Sequence, residues 1–388
     1  CVFVGSYCGS SIWPLLVTTR REDKGDPFLL TVNGLVNGSA SQGLEILQLS
    51  PLRSKIGSFV DDIALDGGMA LDLNLSLLLA KEDVGLALDL GVGIKQGTFS
   101  MPEQNLRVEG IDGAFTFDLI NGIRSEQMSG RIFGGDVSAN ISPVFKGGIV
   151  EANGEEDNEQ RDDPVRALLS TQVNVVGEVD VPVVAEWLKF PALHHLSGNM
   201  PYKATLNLPK NKTISPDISL QSSLKGVAVQ LPKPFHKERD VERDLYIYTT
   251  LGAGQREEGV EDLRLFSLRY GELIDLVSEI ESSRLKKAAV VFGGVGRGKA
   301  VLPEENGYRI GGFLSELSVK AWADMFSVSS AVKEKEKGRA QTSPLIQIEE
   351  SLLDGNLKIG NVLLFGQRFP ATHFHFKPSD VTWDVDVN

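Results

Sequence analysis

The chain has 388 residues, of which 41% are apolar and 23% charged, a balance that is ordinary for a folded protein and excludes a disordered one. Lys and Arg total 39 against 52 Asp and Glu, for a net charge of −13, and no basic stripe is present. Nucleic acid is excluded as a partner, because affinity for a polyanion needs clustered basic charge. The 40 glycines and few aromatics are typical of many short strands joined by Gly-containing turns.

The N-terminal region carries no recognisable targeting signal. Residues 2–17 are apolar but are interrupted by Pro14, too short to span a bilayer, and without the basic start of a signal peptide. Cys1 and Cys8 form no zinc-like spacing, so they leave the redox compartment undecided. Because the chain begins with Cys and stops in mid-pattern, we expect a fragment cut at both ends, with residues 1–43 unplaced.

The first predicted element is a short helix over residues 51–63. Ser50 and Pro51 form a favourable N-cap and first helical residue. Two long strands are predicted next, because apolar residues alternate over 71–79 and again over 84–94. One-sided strands are typical of antiparallel sheet. A hairpin turn at residues 81–83 would place both Leu rows on one face, since a one-residue slip would turn every Leu to water.

The same organisation returns further along the chain. Residues 151–164 are strongly acidic and predict a solvated loop. A helix near 182–190 then leads into an alternating strand over 202–208, which repeats the helix–strand order of residues 51–79 and indicates a modular extended sheet. We therefore predict one β module over residues 44–150 and a second over 165–332.

The C-terminal third is less regular. Bare propensity favours helix over residues 262–287, and a further helix is predicted over 319–332, where Trp322 and Phe326 have helical spacing. A charged loop is predicted over 333–343, followed by the start of another β segment over 344–388.

Motifs that could carry catalysis or metal binding are incomplete. The glycine-rich run from Gly293 to Lys299 nearly spells a phosphate-binding loop, but Ala300 stands where magnesium requires Ser or Thr, so we interpret the run as a strand connection. His194-His195 and the pair His373 and His375 lack companion ligands at metal-site spacing. We expect a non-enzymatic protein that binds no cofactor or metal.

Several segments carry a resemblance that spans roughly residues 44–388. They are Leu-Ser-Pro-Leu at 49–52, Val-Gly-Ile-Lys-Gln-Gly-Thr-Phe at 92–99, Ser-Gly-Arg-Ile-Phe-Gly-Gly at 129–135, Leu-Pro-Lys-Pro at 231–234 and Gly-Phe-Leu at 312–314. In order and spacing they resemble the central region of the YhdP branch of AsmA-like bacterial envelope proteins.

This resemblance implies a mainly β fold: an elongated, highly curved antiparallel sheet, bent like a taco around an open groove, with a few short helices. It also implies a periplasmic protein of a Gram-negative bacterium, held in the inner membrane by an N-terminal helix that this fragment lacks. The implied function is to conduct phospholipid, through its acyl chains, between inner and outer membrane, with outer-membrane or periplasmic proteins as further partners. The alternative is a non-transporting structural or assembly factor with a closed β core.

The alternating rows supply the candidate groove-lining residues, although alternation alone does not settle whether their face meets lipid or protein. They are Leu71, Leu73, Leu75, Leu77, Leu86, Leu88, Leu90, Val92, Val173, Val175, Leu206 and Leu208. Leu88, in mid-strand on the longest row, is the position at which we expect a substituted Asp to reach water if the groove is open.

Overall fold

A computed structural model of the chain describes residues 2–7, 10–21, 28–49, 53, 61–79, 86–146, 148–149, 167–211, 213–252, 263–282, 284–293, 298–325, 347–348, 352–378 and 383–387. The predicted turn at 81–83, the acidic loop at 151–164 and the charged loop at 333–343 lie outside these ranges. So do most of the predicted helix over 51–63 and the end of the helix predicted over 319–332, of which residues 319–325 are described and helical.

The predicted fold class is confirmed: over the described residues the protein is mainly β, with an open sheet that does not close on itself and a few short helices. The chain divides into two compact units. Unit 1 comprises Cys1–Gly177 and Thr205–Lys212, and unit 2 comprises Glu178–Ala204 and Thr213–Asn388. The module limits proposed from the sequence stay predictions, since compactness does not test where a repeat begins.

Unit 1 is a run of antiparallel neighbours. Each strand pairs with the next along the chain from β1 to β9, and β10 returns to pair with β8. The strands are β1 (Val2–Tyr7), β2 (Ser10–Arg20), β3 (Phe28–Ser39), β4 (Ala64–Leu79), β5 (Leu86–Met101), β6 (Leu106–Asp118), β7 (Gly122–Ile132), β8 (Gly135–Phe145), β9 (Gly148–Ile149), β10 (Leu168–Asp180) and, after it, β11 (Leu196–Pro209).

One helix of unit 1, α1 (Ala40–Leu49), was not predicted from the sequence. It starts at a capping box: the backbone N–H of Gln42 donates to Ser39 Oγ at 3.3 Å, and the N–H of Ser39 donates to Gln42 Oε1 at 3.1 Å. Its buried residues are Ala40 and Leu44. The reciprocal bonds satisfy donors that a helix start leaves unpaired.

Unit 2 contains a second helix, α2 (Val181–Leu188), within the region where the sequence predicts one. A 3₁₀ turn follows at Pro191–His195 and therefore holds the paired histidines at 194 and 195. The remaining strands are β12 (Asp217–Ser222), β13 (Val227–Val229), β14 (Leu245–Thr250), β15 (Leu263–Tyr270), β16 (Ile274–Glu281), β17 (Arg284–Phe292), β18 (Gly307–Leu314), β19 (Leu317–Ser318), β20 (Gln347–Ile348), β21 (Leu352–Leu364), β22 (Gln367–Pro378) and β23 (Trp383–Val387).

The helical propensity of residues 262–287 does not decide their structure, because the described residues are strands, within the region predicted as a β module. The described residues form β15, β16 and the start of β17. β15 pairs antiparallel with β16 without a break from Leu263 opposite Glu281 to Tyr270 opposite Ile274. β16 pairs antiparallel with β17 with a register shift between Glu279 and Ile280. Apolar residues alternate over Phe266–Tyr270 in β15 and at Ile274, Leu276 and Ile280 in β16. Pairing with neighbours on both sides outweighs a helical propensity that is weak for each residue.

The sheet of unit 2 contains a parallel segment, which the sequence did not predict. β17 pairs parallel with β18, and β18 pairs parallel with β21. The glycine-rich run at 293–299 follows β17 directly, so it begins the connection to β18. Gly312, at a φ of +107°, pairs with Phe292, and a Cβ there would overlap the Phe292 carbonyl oxygen. Glycine is therefore required where the two backbones meet.

The core of unit 2 forms around Phe235. Its ring makes edge-on contacts with Phe292 and Trp322, at centroid distances of 6.0 and 5.8 Å. Its carbonyl oxygen accepts hydrogen bonds from the Tyr270 hydroxyl at 3.0 Å and from Arg243 at 3.3 Å. The aromatic contacts and the two hydrogen bonds fix residues 230–244 over one end of the sheet.

Lys237 is buried in the same segment and is only 2% exposed. Its ammonium donates to the carbonyl oxygens of Val241 at 2.7 Å and Glu238 at 3.0 Å. Burial, with a smaller effect from the nearby Arg243, lowers the pKa of Lys237 below its ordinary value of 10.5, while Asp240 opposes the shift.

The lowered pKa makes stability depend on pH. Because the unfolded chain binds the Lys237 proton more tightly, the free energy of unfolding rises with pH from the folded-state pKa up to about 10.5. We expect the unfolding free energy of the wild type minus that of Lys237→Met to increase as pH is raised toward that value. Urea denaturation of both proteins across the alkaline range measures this difference, and a decrease with pH would contradict the assignment.

Candidate functional site: the apolar face of unit 1

The two predicted Leu rows lie directly opposite each other. Leu71 pairs with Val92, Leu73 with Leu90, Leu75 with Leu88 and Leu77 with Leu86. Residues directly opposite on antiparallel strands project to the same side. Both rows therefore share one face of unit 1, as the alternation predicted.

This face continues across the following strands. One row of direct partners runs from β4 to β10 through Met69, Ile94, Gly113, Met128, Ala139 and Val175. In the neighbouring row, Ser125 pairs with Ile141 and Ile141 with Val173. Val173 and Val175 thus lie on the same face as the Leu rows, more than 80 residues further along the chain.

A β-bulge in β7 keeps this row in phase. Met128 pairs with Ala139 and Ser125 pairs with Ile141. A separation of three positions along β7 therefore matches a separation of two positions along β8. Without the extra residue, side chains three positions apart would project to opposite faces. The Ser125 hydroxyl, which is buried on the apolar face, donates to the Ala114 carbonyl oxygen at 2.6 Å.

Leu206 and Leu208 of β11 join the face by alternation. Thr205 Oγ1 donates to Asn174 Oδ1 at 2.9 Å, and Asn174 donates to Asn140 at 3.1 Å. These three polar side chains share the opposite face, because Asn174 lies between Val173 and Val175. Successive residues of a strand point to opposite sides, so Leu206 and Leu208 project with the valines.

We call this surface the apolar face. Its members include the twelve residues proposed from the sequence, in β4, β5, β10 and β11, and Ile94, which belongs to the alternating row predicted over 84–94. Sequence reasoning missed the further members Leu30, Val32, Val36, Met69, Phe115, Phe117, Ile123, Met128, Ala139 and Ile141. Seven strands, β3 to β8 and β10, spaced about 4.8 Å apart, extend it over roughly 29 Å.

The apolar face is mostly half-buried rather than buried. Leu71, Leu73, Leu75, Leu77, Leu90, Val173, Val175 and Leu206 are of this kind, and Leu208 is exposed. Leu88 and Val92 differ, since their exposed fractions are only 3% and 9%. The side chain of Leu86 lies outside the part of the chain that the structure describes. Most of the face is thus accessible to a ligand.

The reverse side of β4 and β5 is mostly polar, whereas on β3 it carries Leu29 and Leu35, which are 36% and 56% exposed. Asn74 pairs with Asp89, which pairs in turn with Asp118, and Asp72 lies in the next row. Ser76 and Gly91 extend this side without apolar bulk. The sheet of unit 1 therefore separates a carboxylate-bearing surface from the apolar face.

Helix α1 covers one end of the apolar face. Gly43 lies so close to Met69 that a Cβ on it would come within 2.7 Å of the methionine sulfur. The absence of a side chain at Gly43 lets the helix axis approach the sheet there. α1 therefore closes the face at its Met69 end.

Unit 2 carries a comparable row that the sequence signalled only at Leu220. Its direct partners are Leu220, Ile247, Leu268, Leu276, Val290 and Ile310, on β12, β14, β15, β16, β17 and β18. All six are half-buried. Each unit thus presents an apolar row of its own.

The described ranges contain no group of three or more His, Cys, Asp or Glu residues that could hold a metal ion. His373 lies on β22, where its Nε2 is 2.8 Å from Asn356 Oδ1. Within the same ranges, no helix has the length and apolar content needed to cross a membrane.

Comparison with known proteins gives one match. The family model described as YhdP protein matches residues 22–388. No curated protein and no solved structure matches the chain. The match begins 22 residues earlier than the resemblance that the sequence motifs suggested, and so takes in β3 and α1.

The facing of the Leu rows can be tested by cross-linking. In a protein with Cys1→Ser and Cys8→Ser, we expect Asn74→Cys with Asp89→Cys to form a disulfide on mild oxidation, since the two positions are directly opposite. The matched pair Asn74→Cys with Leu90→Cys should stay reduced, because its side chains project to opposite faces. Thiol titration distinguishes the two pairs, and the reverse pattern would mean a one-residue slip.

Proposed function

The chain belongs to the YhdP protein family, and on that premise we propose that the apolar face of unit 1 carries phospholipid acyl chains. One observation supports this above the others: twelve apolar positions, spread from residue 71 to residue 208, converge on one face whose side chains are mostly half-buried. A soluble sheet normally buries such a face, and accessible apolar surface on this scale marks a site of interaction.

The energetics fit a lipid that slides. A buried methylene is worth about 0.8 kcal/mol, so complete cover of a sixteen-carbon chain would be worth roughly 12 kcal/mol relative to water. Crossing water between two membranes would forfeit that stabilisation, whereas movement along a continuous apolar face would not. Under this proposal the side chains need only exclude water and present a smooth surface, so no residue is assigned a catalytic role.

The proposal includes a cellular setting. We place the full-length protein in the periplasm of a Gram-negative bacterium, anchored in the inner membrane and conducting phospholipid toward the outer membrane. Its further partners would be outer-membrane or periplasmic proteins. These assignments are supported by family membership and by the chemistry of the apolar face.

One observation favours the alternative of a structural or assembly factor. Leu88 and Val92 are buried, as they would be in a closed core. If the face packed only against protein, acyl chains would have no access to it, and the open residues around these two would need a protein cover. The two functions differ in what contacts the half-buried positions.

Leu88 is therefore a poor test position, contrary to the sequence-based expectation. With 3% of its surface exposed, a substituted Asp would be buried under either function and would destabilise the sheet by several kcal/mol. Adjacent residues on β10 offer a better comparison. Val175 is half-buried on the apolar face, and Val176, 53% exposed, projects from the other side.

We expect Val175→Asp in the full-length protein to block lipid movement, because it places a charge on the path, while Val176→Asp leaves lipid movement intact. Both variants should stay folded, since either carboxylate can reach water. Outer-membrane integrity in cells and photo-crosslinking of phospholipid from position 73 measure the two effects, with thermal unfolding as the control. Equal complementation by both variants, or crosslinks from position 73 to protein alone, would favour the structural alternative.

A further inference from the structure

The hairpin between β21 and β22 ends in an unusual turn. Phe365 and Gly366 connect Leu364 to Gln367, with φ angles of 50° and 78°. A two-residue turn with positive φ at both positions favours Asn, Asp or Gly at the first, because a Cβ is strained there. Phe365 nevertheless occupies that position, and its side chain is 93% exposed.

A second turn of the same type contains a phenylalanine that does pack against the protein. Phe133 and Gly134 join β7 to β8 in unit 1 with φ angles of 49° and 79°. There the phenylalanine is half-buried and has an interaction partner within the protein. Packing therefore explains the phenylalanine in the turn of unit 1. In the described structure, packing does not explain Phe365, because that residue is exposed.

The surroundings of the tip are apolar and basic. On β22, Arg368 is exposed and Phe369 is 44% exposed. The parallel pairing of Leu317 with Val362 and Ser318 with Leu363 brings the following helical residues alongside the end of β21. These include Val319, 39% exposed, and the exposed Lys320, with one exposed acid, Asp324, a turn further on. We call Val319, Lys320, Phe365, Arg368 and Phe369 the aromatic tip.

We propose that the aromatic tip docks on the surface of a phospholipid membrane. The Phe365 ring enters the boundary between head groups and acyl chains, and Arg368 and Lys320 contact lipid phosphates. Strain held at an exposed position is a reason to look for such a role. This proposal goes beyond the carriage of acyl chains on the apolar face, because it concerns where the protein meets a membrane.

A lipid surface fits the tip better than a protein partner. The three apolar side chains together offer at most a few hundred Å², while a stable protein interface buries roughly 800 Å² on each side. A membrane requires no such area, since a single protruding ring can be buried in it. The positive charges of Arg368 and Lys320, both exposed, also match an anionic head group.

The substitution Phe365→Asn separates a binding role from a structural one. Because Asn suits the turn, we expect the variant to unfold at a higher temperature, yet to float with vesicles of phosphatidylethanolamine and phosphatidylglycerol about tenfold less than the parent chain. Arg368→Ser should weaken binding to these vesicles but not to vesicles of phosphatidylcholine alone. The matched control is Phe190→Asn, which removes another exposed phenylalanine of unit 2 and should not change flotation.

Three outcomes would overturn the proposal. Undiminished flotation of Phe365→Asn would show that the ring does not enter the membrane, and a lowered unfolding temperature would show that it is structural. A dimer of the parent chain that dissociates in the variant would make the tip a self-association surface. The reduced flotation caused by Phe365→Asn should also be seen in a protein that carries Val175→Asp. If Phe365→Asn does not reduce flotation but position 73 still crosslinks to phospholipid, the docking proposal is wrong and the proposed acyl-chain function is unaffected.

Discussion

The arrangement of unit 1 depends on one geometric constraint, the alternation of side chains along a strand combined with antiparallel register. Each strand from β3 to β8, and β10, must pair so that its apolar set meets that of its neighbour, and a slip of one residue anywhere would reverse every later strand. The bulge in β7 shows how strictly this holds, since the extra residue between Ser125 and Met128 restores the phase. The apolar face results from a long series of local pairings that all agree.

The same constraint leaves unit 1 with an energetic conflict. A sheet that collects its apolar residues on one side gains most by covering that side, yet most of the face is only half-buried in the described structure. Cover is supplied at the Met69 end, where Gly43 lets α1 approach. Unit 2 differs, because residues 230–244 close one end of its sheet with the Phe235 contacts and the buried Lys237. Unit 1 also buries Leu88 and Val92 in β5, while most of the other described positions of its apolar face stay accessible.

How much of this could be predicted depended on how plainly each strand alternates. Residues 71–77 and residues 84–92 each alternate without interruption, so their strands and common face followed from the sequence. Phe115, Phe117 and Met128 were missed because bulges and glycines break the period in β6 and β7. In β15 and β16 a helical propensity obscured the alternation, which only the pairing with neighbouring strands resolved. Helix α1 did have a signal, the Ser39 and Gln42 capping box, in a region that otherwise resembled nothing.

An open apolar face also suits the proposed function better than a closed one, because it binds an acyl chain less tightly. Complete cover of a sixteen-carbon chain, worth roughly 12 kcal/mol, corresponds to a dissociation constant near 1 nM, and a chain held so tightly would leave slowly. A face that covers the chain on one side provides about half of that, which corresponds to binding between micromolar and millimolar. Weak binding repeated along strands of similar hydrophobicity lets a chain move from one row to the next without a deep minimum. The half-buried state of Leu71, Leu73 and Val175 is therefore what lipid transfer would require, whereas a structural core would gain from burying them.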